Sequence, residues 1–510
     1  MTLTNAKDKT RPPAPYLSVA DRLLDDPSAG LILSLSVLCL LFIPVFYSDY
    51  AYLDEAHQLW HHKDGTNYSM FLVQGRWLTG LLFKNLFAQI DTVHGIKIVR
   101  ILSFFSWAFF IAEFFRLGKK WQLWIGFDRR LLSMAGIYIA CSISLAIYIG
   151  WGSCFVVGGA SILGLWSGHL LFARLMGEES WLNIYLCLLT GIGSLFMYQA
   201  AFGAFLLPFA WYLIEKRSSV SYRILKLGAG VYLVVSVLYY LLFIYSIHQG
   251  AASASARTTL STDLPGKLAF FFSAPLSQAF NLNFLYNMHS VLSQAFPILM
   301  MVGWVILYFV KNNKGSFLFA FILLCMLVYL PVLVSKEDFA PYRTMFVLNL
   351  VVTILLMNDL LSLIGRRRSG GTIAAALLCL FIAVGFRNFR YNFLHPLLAE
   401  YRLAGDYFRN SYDPHIHTVY FLRPPENMFA AAYGIHSFKD EFGVPSTFKD
   451  WTPEPLLKQF VLERTKDSLT AGKLQVIQFT DRAAFATEEG RHLPDALFFD
   501  MDSIFRAGNR

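Results

Sequence analysis

Residues 47–77 read YSDYAYLDEAHQLWHHKDGTNYSMFLVQGRW. This polar, aromatic-rich stretch follows an apolar run at 31–47 and precedes a short amphipathic one at 77–90. It gathers acids, histidines and an arginine in a chain that is 56% hydrophobic, 16% aromatic and only 15% charged. A soluble globular protein carries about 25% charged residues. Apolar runs near the ~20 residues that cross a bilayer as helix recur along the chain. The expected fold is an all-α polytopic membrane protein. Ionisable groups concentrated beside its first span mark where chemistry is expected.

Working outward, apolar length marks about eleven spans. They lie near 31–47, 96–116, 131–149, 154–174, 181–197, 199–214, 226–247, 291–310, 316–334, 342–364 and 371–386. Basic clusters then set the orientation. Lys7, Lys9 and Arg11 place the N-terminal segment in the cytoplasm. The loop with Arg116, Lys119, Lys120, Arg129 and Arg130 shares that side. So do Arg174, the group Lys216, Arg217, Arg223 and Lys226, the pair Lys311 and Lys314, and Arg366, Arg367 and Arg368. The 47–77 stretch, the loop 248–290, the turn at 335–343 and everything after Phe386 fall opposite. Lys97 and Arg100 run against the bias. The formal charge of +9 thus reports orientation rather than a nucleic-acid partner.

Three regions follow: a cytoplasmic segment 1–30, a membrane domain 31–386 with outer loop 48–95, and a polar domain 387–510. In the last, HTVYFL at 417–422, LQVIQF at 474–479 and ALFF at 496–499 read as strands, with a helical pattern at 454–467 between them. This predicts a small α/β domain. Segments 77–90 and 268–287 are apolar but short, and read as interfacial helices framing a groove open to lipid. The six cysteines lie in apolar segments and do not suggest a disulfide framework.

Asp54 and Glu55, with Asp49 five residues earlier, are the candidate catalytic acids. Their neighbours Tyr47, Tyr50, Tyr52, Leu53 and Trp60 solvate charge poorly, which raises a carboxyl pKa and suits a general base. Loop solvation is the structural alternative. His57 and His61 share a helical face with i,i+4 spacing and precede His62. They admit a divalent metal with Asp54 or Glu55, but no metal site and no cofactor is assigned. Arg76, followed by Trp77, offers a planar fork for a phosphate or an acid, or snorkels to head groups. SKEDFAPYRTMF at 335–346 brings Lys336, Tyr342 and Arg343 to the outer side, where basic residues are disfavoured. His57, Trp77, Lys336 and Tyr342 join Arg76 and Arg343 as candidate substrate-binding residues. Arg257 and Lys267 are further candidates for phosphate contact. Asp500 and Asp502 read as solvated loop, and Gly164 and Gly168 as helix packing.

LDEAHQLW at 53–60 resembles the first outer-loop segment of the aminoarabinose and protein-mannosyl transferases. GRWLTGLL at 75–82 and APYRTMFVL at 340–348 resemble the serotype-converting O-antigen glucosyltransferases of the Gtr type. The layout over most of the chain is similar to the GT-C class of membrane glycosyltransferases. The resemblance implies inverting transfer of a single sugar, glucose by the Gtr likeness, from a polyprenyl-phosphate carrier. The acceptor would be a cell-envelope glycan or glycolipid such as lipopolysaccharide O-antigen, at the periplasmic face of the bacterial inner membrane. A divalent metal is not always needed by that class. By motif match Asp54 is the base, supported by Glu55, with Asp49 as rival. Position and charge make Arg76 and Arg343 the partners of the leaving phosphate. A transporter or flippase of lipid-linked sugar is the alternative; paired halves and broken helices, which mark transporters, are not evident.

Overall fold

The computed structural model describes residues 19–508 apart from 63–67, 179, 218, 250–254, 256, 287–288, 313–314, 365–367, 492 and 494. Lys7, Lys9, Arg11, Lys314, Arg366 and Arg367, which carry part of the charge argument, lie outside the described residues. The structure is 76% helical. Among the described residues eight helices are long and apolar enough to cross a membrane. They are Pro27–Phe46, Val93–Ile125, Gly152–Leu175, Tyr222–Gln249, Val291–Val310, Gly315–Leu333, Tyr342–Ile364 and Gly370–Ser411. A ninth crossing results if Arg129–Ala140 and Ile143–Gly150, bent by 46°, count as one span. The remaining two apolar runs are shorter. Trp181–Met197 is a 17-residue helix, and 199–214 becomes a 3-10 stretch, Gln199–Leu206, followed by Leu207–Glu215.

Two boundaries differ from the sequence expectation. The helix Val93–Ile125 starts at a Thr92 cap on Gly95 N and runs 33 residues, until Gly126 turns left-handed at φ 86°. Arg116, Lys119 and Lys120 therefore sit on helix rather than in a loop. Straight-chain basic residues are good helix formers, so they do not end the element. The helix Gly370–Ser411 likewise passes through the boundary placed at 387, by way of a π-helical stretch at Arg387–Leu394. The polar region thus begins on a helix continuous with the last apolar run.

The bend at Cys141–Ser142 frees backbone groups that the helix no longer pairs. The Asn283 amide donates to Cys141 O (2.8 Å) and accepts from Ile143 N (3.0 Å), so this break is filled by a side chain of the protein itself.

Beyond the apolar helices, β1 (Thr418–Leu422), β2 (Gln475–Phe479) and β3 (Ala496–Asp500) form a parallel sheet in the order β2-β1-β3. These are the three runs expected as strands, and Pro453–Thr465 is the helix expected between the first two. Between β1 and that helix, residues 438–452 lie against the start of the chain's polar loop. Tyr52 Oη donates to Glu441 O (3.2 Å), and Thr452 Oγ1 donates to Leu53 O (3.4 Å). The C-terminal region therefore packs onto the residues that begin the Asp54 helix.

Candidate functional site

The helix Asp54–His61 is positioned by the residue after its first acid. Glu55 is fully buried and accepts from Tyr52 N at 2.7 Å and from Gly152 N. It also pairs with Arg100, which donates to Tyr50 O (2.8 Å) and stacks on the Tyr50 ring. Gly152 permits this approach: a Cβ there would stand 2.8 Å from Glu55 Oε1. Leu53, just before the helix, holds φ 47° without being glycine, a backbone kept only where its surroundings fix it. Neighbouring residues on a helix face different ways. With Glu55 turned into the core, Asp54 is turned outward.

There it lines a cavity of about 890 Å³. Arg76, Arg257, Lys267 and Arg343 line it together with Asp54, His57, Glu337 and Asp440. The same lining includes apolar side chains, among them Leu233, Val237, Leu268, Met326, Leu330 and Val332. Most of the polar groups are tied. Arg257 pairs with Glu337 (2.9 Å), Lys267 with Asp338 (2.6 Å), Lys449 with Asp440 (2.6 Å) and Arg343 with Glu441 (3.3 Å). Among the described residues Asp54 and Arg76 form none of these close ion pairs. Asp54 accepts from Trp451 Nε1 at 3.0 Å. Arg76 donates Nε to Gln199 Oε1 (2.8 Å) and stacks on Tyr198 (4.5 Å). Gln199 is fixed in turn by Gln74 O and Tyr239 Oη, both at 2.7 Å. The Phe339 ring gathers Arg257, Arg343 and Lys439 at 5.7, 5.2 and 5.6 Å.

Burial raises the Asp54 carboxyl above the ordinary aspartate range, against the pull of Arg343, the Trp451 hydrogen bond and Arg257. The Arg76 guanidinium is pulled down by burial and by the nearby Arg257 and Arg343. An aspartate held poorly solvated beside clustered cations is suited to take a proton; the cations are suited to an anion.

The remaining sequence candidates are dispersed. Asp49 bonds His94 (3.0 Å) and lines a separate cleft of about 910 Å³, with Arg402, Arg409, Glu463 and Arg464. His57 lines the main cavity, its ring 4.6 Å from that of His61. Tyr342 is buried against Phe438 and accepts from Tyr286 N (2.8 Å). Lys336 is exposed and contributes its backbone N–H to Thr259 O. Trp77 packs on Phe196 with part of its ring exposed. Asp500 and Asp502 pair with Arg482 and Arg506. Among the described residues no group of three or more His, Cys, Asp or Glu side chains is arranged to hold a metal ion.

Sequence reading did not single out Trp151, Asp440, Glu441 or Trp451, which line or brace the cavity. Asp440, Glu441 and Trp451 lie in a polar stretch of the C-terminal domain with no periodic pattern, and only the folded chain brings them to the loop. No family model, curated protein or solved structure matched the chain. The chain is a predominantly helical protein with several helices able to cross a membrane and a few strands towards its C-terminus.

Proposed function

We propose that the chain is an inverting membrane glycosyltransferase of GT-C type. It moves a single sugar, glucose by the sequence likeness, from a polyprenyl-phosphate carrier to a cell-envelope glycan or glycolipid. The observation that carries this reading is one cavity lined both by a carboxylate with several cations and by many apolar side chains. The prenyl chain lies along Leu233, Val237, Met326 and Leu330, and the phosphate meets Arg76, Arg257 and Arg343. The acceptor hydroxyl oxygen bonds the anomeric carbon as the bond from that carbon to the phosphate oxygen breaks. Asp54 takes the hydroxyl proton. Polyprenyl phosphate leaves with the electron pair, and the guanidinium groups meet its growing negative charge. Attack opposite the leaving group inverts the anomeric centre.

Orientation follows the basic clusters, with the N-terminus cytoplasmic and the cavity mouth and C-terminal domain periplasmic. Counting the bent pair and the two short elements as crossings gives about eleven. A flippase would use a broken helix as a ligand site. At the bend after Cys141 the Asn283 amide fills the freed backbone groups, so that break offers no ligand site. The test is the mass of envelope glycans from cells with and without the protein. A shift of one hexose, absent with Asp54→Asn, supports the reading. An unchanged glycan and glycolipid profile, with the protein inserted in the membrane, overturns it.

A further inference from the structure

Glu441 sits in the C-terminal domain, and it is fully buried. Its Oε2 accepts from Tyr342 N at 2.6 Å and its Oε1 from Arg343 N at 2.8 Å. These residues open the helix Tyr342–Ile364, and opening N–H groups have no partner within a helix. The same Oε1 receives Arg343 Nη1 at 3.3 Å. One carboxylate thus holds both the backbone and the side chain of a cavity-lining arginine. Lys439 and Asp440, just before it, have φ of 52° and 65°. Two successive non-glycine residues in that region persist only where contacts on both sides fix them. Lys449 holds Asp440 on one side, and Tyr52 Oη reaches Glu441 O on the other.

We propose that Glu441 is a positioning residue through which the C-terminal domain aims the Arg343 guanidinium at the donor phosphate. Binding of a lipid phosphate then depends on the domain being seated. This rests on the reading of Arg343 as a phosphate partner. Charge and positioning have opposite signs here. Removing a negative charge beside Arg343 strengthens its attraction for an anion if charge alone matters. Positioning requires that binding weaken.

Acidity gives a second handle. Burial lifts the Glu441 carboxyl to about 7, against the pull of Arg343 and its two backbone N–H donors. The other groups around it are Asp440 on its own loop, Tyr52 on the polar loop, and Tyr148, Cys154, Tyr198, Tyr329 and Tyr342 on or beside the apolar helices. The ionised form, which grips the guanidinium, fills as pH rises through about 7 and is lost below it. Protonation of Asp54 at low pH acts in the opposite sense, since it favours a bound anion.

The test uses the full chain in lipid nanodiscs and farnesyl methyl phosphate, a diester whose charge is constant from pH 5.5 to 8.5. Asp54→Asn, which removes the opposing titration, should bind more weakly below pH 7. Glu441→Gln should bind at least tenfold more weakly than wild type at pH 8, the double variant with Asp54→Asn should lose that pH dependence, and Glu441→Asp should recover part of the affinity. Equal or tighter binding by Glu441→Gln overturns the proposal. If that variant does not fold, a flat pH profile in Asp54→Asn, where the opposing titration is absent, overturns it instead. Arg343→Gln separates the two layers. If it weakens binding while Glu441→Gln does not, the phosphate site stands and the positioning role falls. If Arg343→Gln binds as wild type, both fall.

Discussion

The indole N–H of Trp451 donates to the carboxylate of Asp54 over 3.0 Å, joining residues 397 positions apart in sequence. The bond ties the candidate base to the C-terminal region and favours its charged form. A base is active when ionised, so activity is present above its pKa and lost as pH falls through it. Trp451→Phe removes a contribution that lowers the Asp54 pKa. The acid limb of the pH–rate profile should therefore move to higher pH, with the alkaline plateau less affected. An unmoved limb would show that this bond does not tune the base.

Asp49 and Asp54 separate by their surroundings. Asp49 faces His94 and a cleft distinct from the one Asp54 lines, with arginines of its own, Arg402, Arg409 and Arg464. Asp49→Asn should keep sugar transfer within a few-fold of wild type, on the order expected for a group outside the reacting cavity. Transfer assays in membranes expressing each variant at equal level check this.

Glu55 is expected to matter through stability. Its carboxylate and the Arg100 guanidinium are both fully buried and bonded to each other and to backbone. Removing one partner of a buried pair leaves the other charge uncompensated, at a cost of roughly 3–5 kcal/mol. Glu55→Gln should lower the thermal unfolding midpoint of the detergent-solubilised protein well beyond Asp54→Asn. Equal midpoints would contradict the structural role.

Gly75 holds φ 70°, and a Cβ there would stand 2.2 Å from Tyr239 Oη. Tyr239 Oη holds Gln199, and Gln199 holds Arg76. Gly75→Ala should therefore loosen Arg76. The loss of a charge-assisted contact worth about 1.5–3 kcal/mol corresponds to about a ten- to hundredfold weaker donor affinity. Titration of a fixed-charge lipid phosphodiester reads it directly.

Much of this arrangement is legible in the sequence because the bilayer imposes a length on helices and strands carry a period of two. The three C-terminal strands and the apolar runs follow from those rules. Asp54, His57, Arg76 and Arg343 stood out as charge in apolar company, and all four line one cavity. The inward face of Glu55 was not legible, because adjacent acids look alike until Arg100 and the Gly152 N–H select one. Lys336 carries charge on the same turn as Arg343 but points to solvent, a choice made by tertiary packing. Glu441 and Trp451 gave no local signal, since their roles arise from contacts with residues about a hundred and about four hundred positions away.

The most direct measurement is single-turnover sugar transfer by the purified protein in nanodiscs, from polyprenyl-phosphate glucose to an envelope glycan acceptor, with wild type and Asp54→Asn side by side. Wild type should release polyprenyl phosphate in step with the glycosylated acceptor. Asp54→Asn should still bind the donor but transfer about 10²–10⁴-fold more slowly, as expected for loss of a general base. Transfer by Asp54→Asn at the wild-type rate, or no transfer from any polyprenyl-phosphate sugar by folded wild type, would contradict the assignment of Asp54 as the base of a lipid-linked sugar transferase.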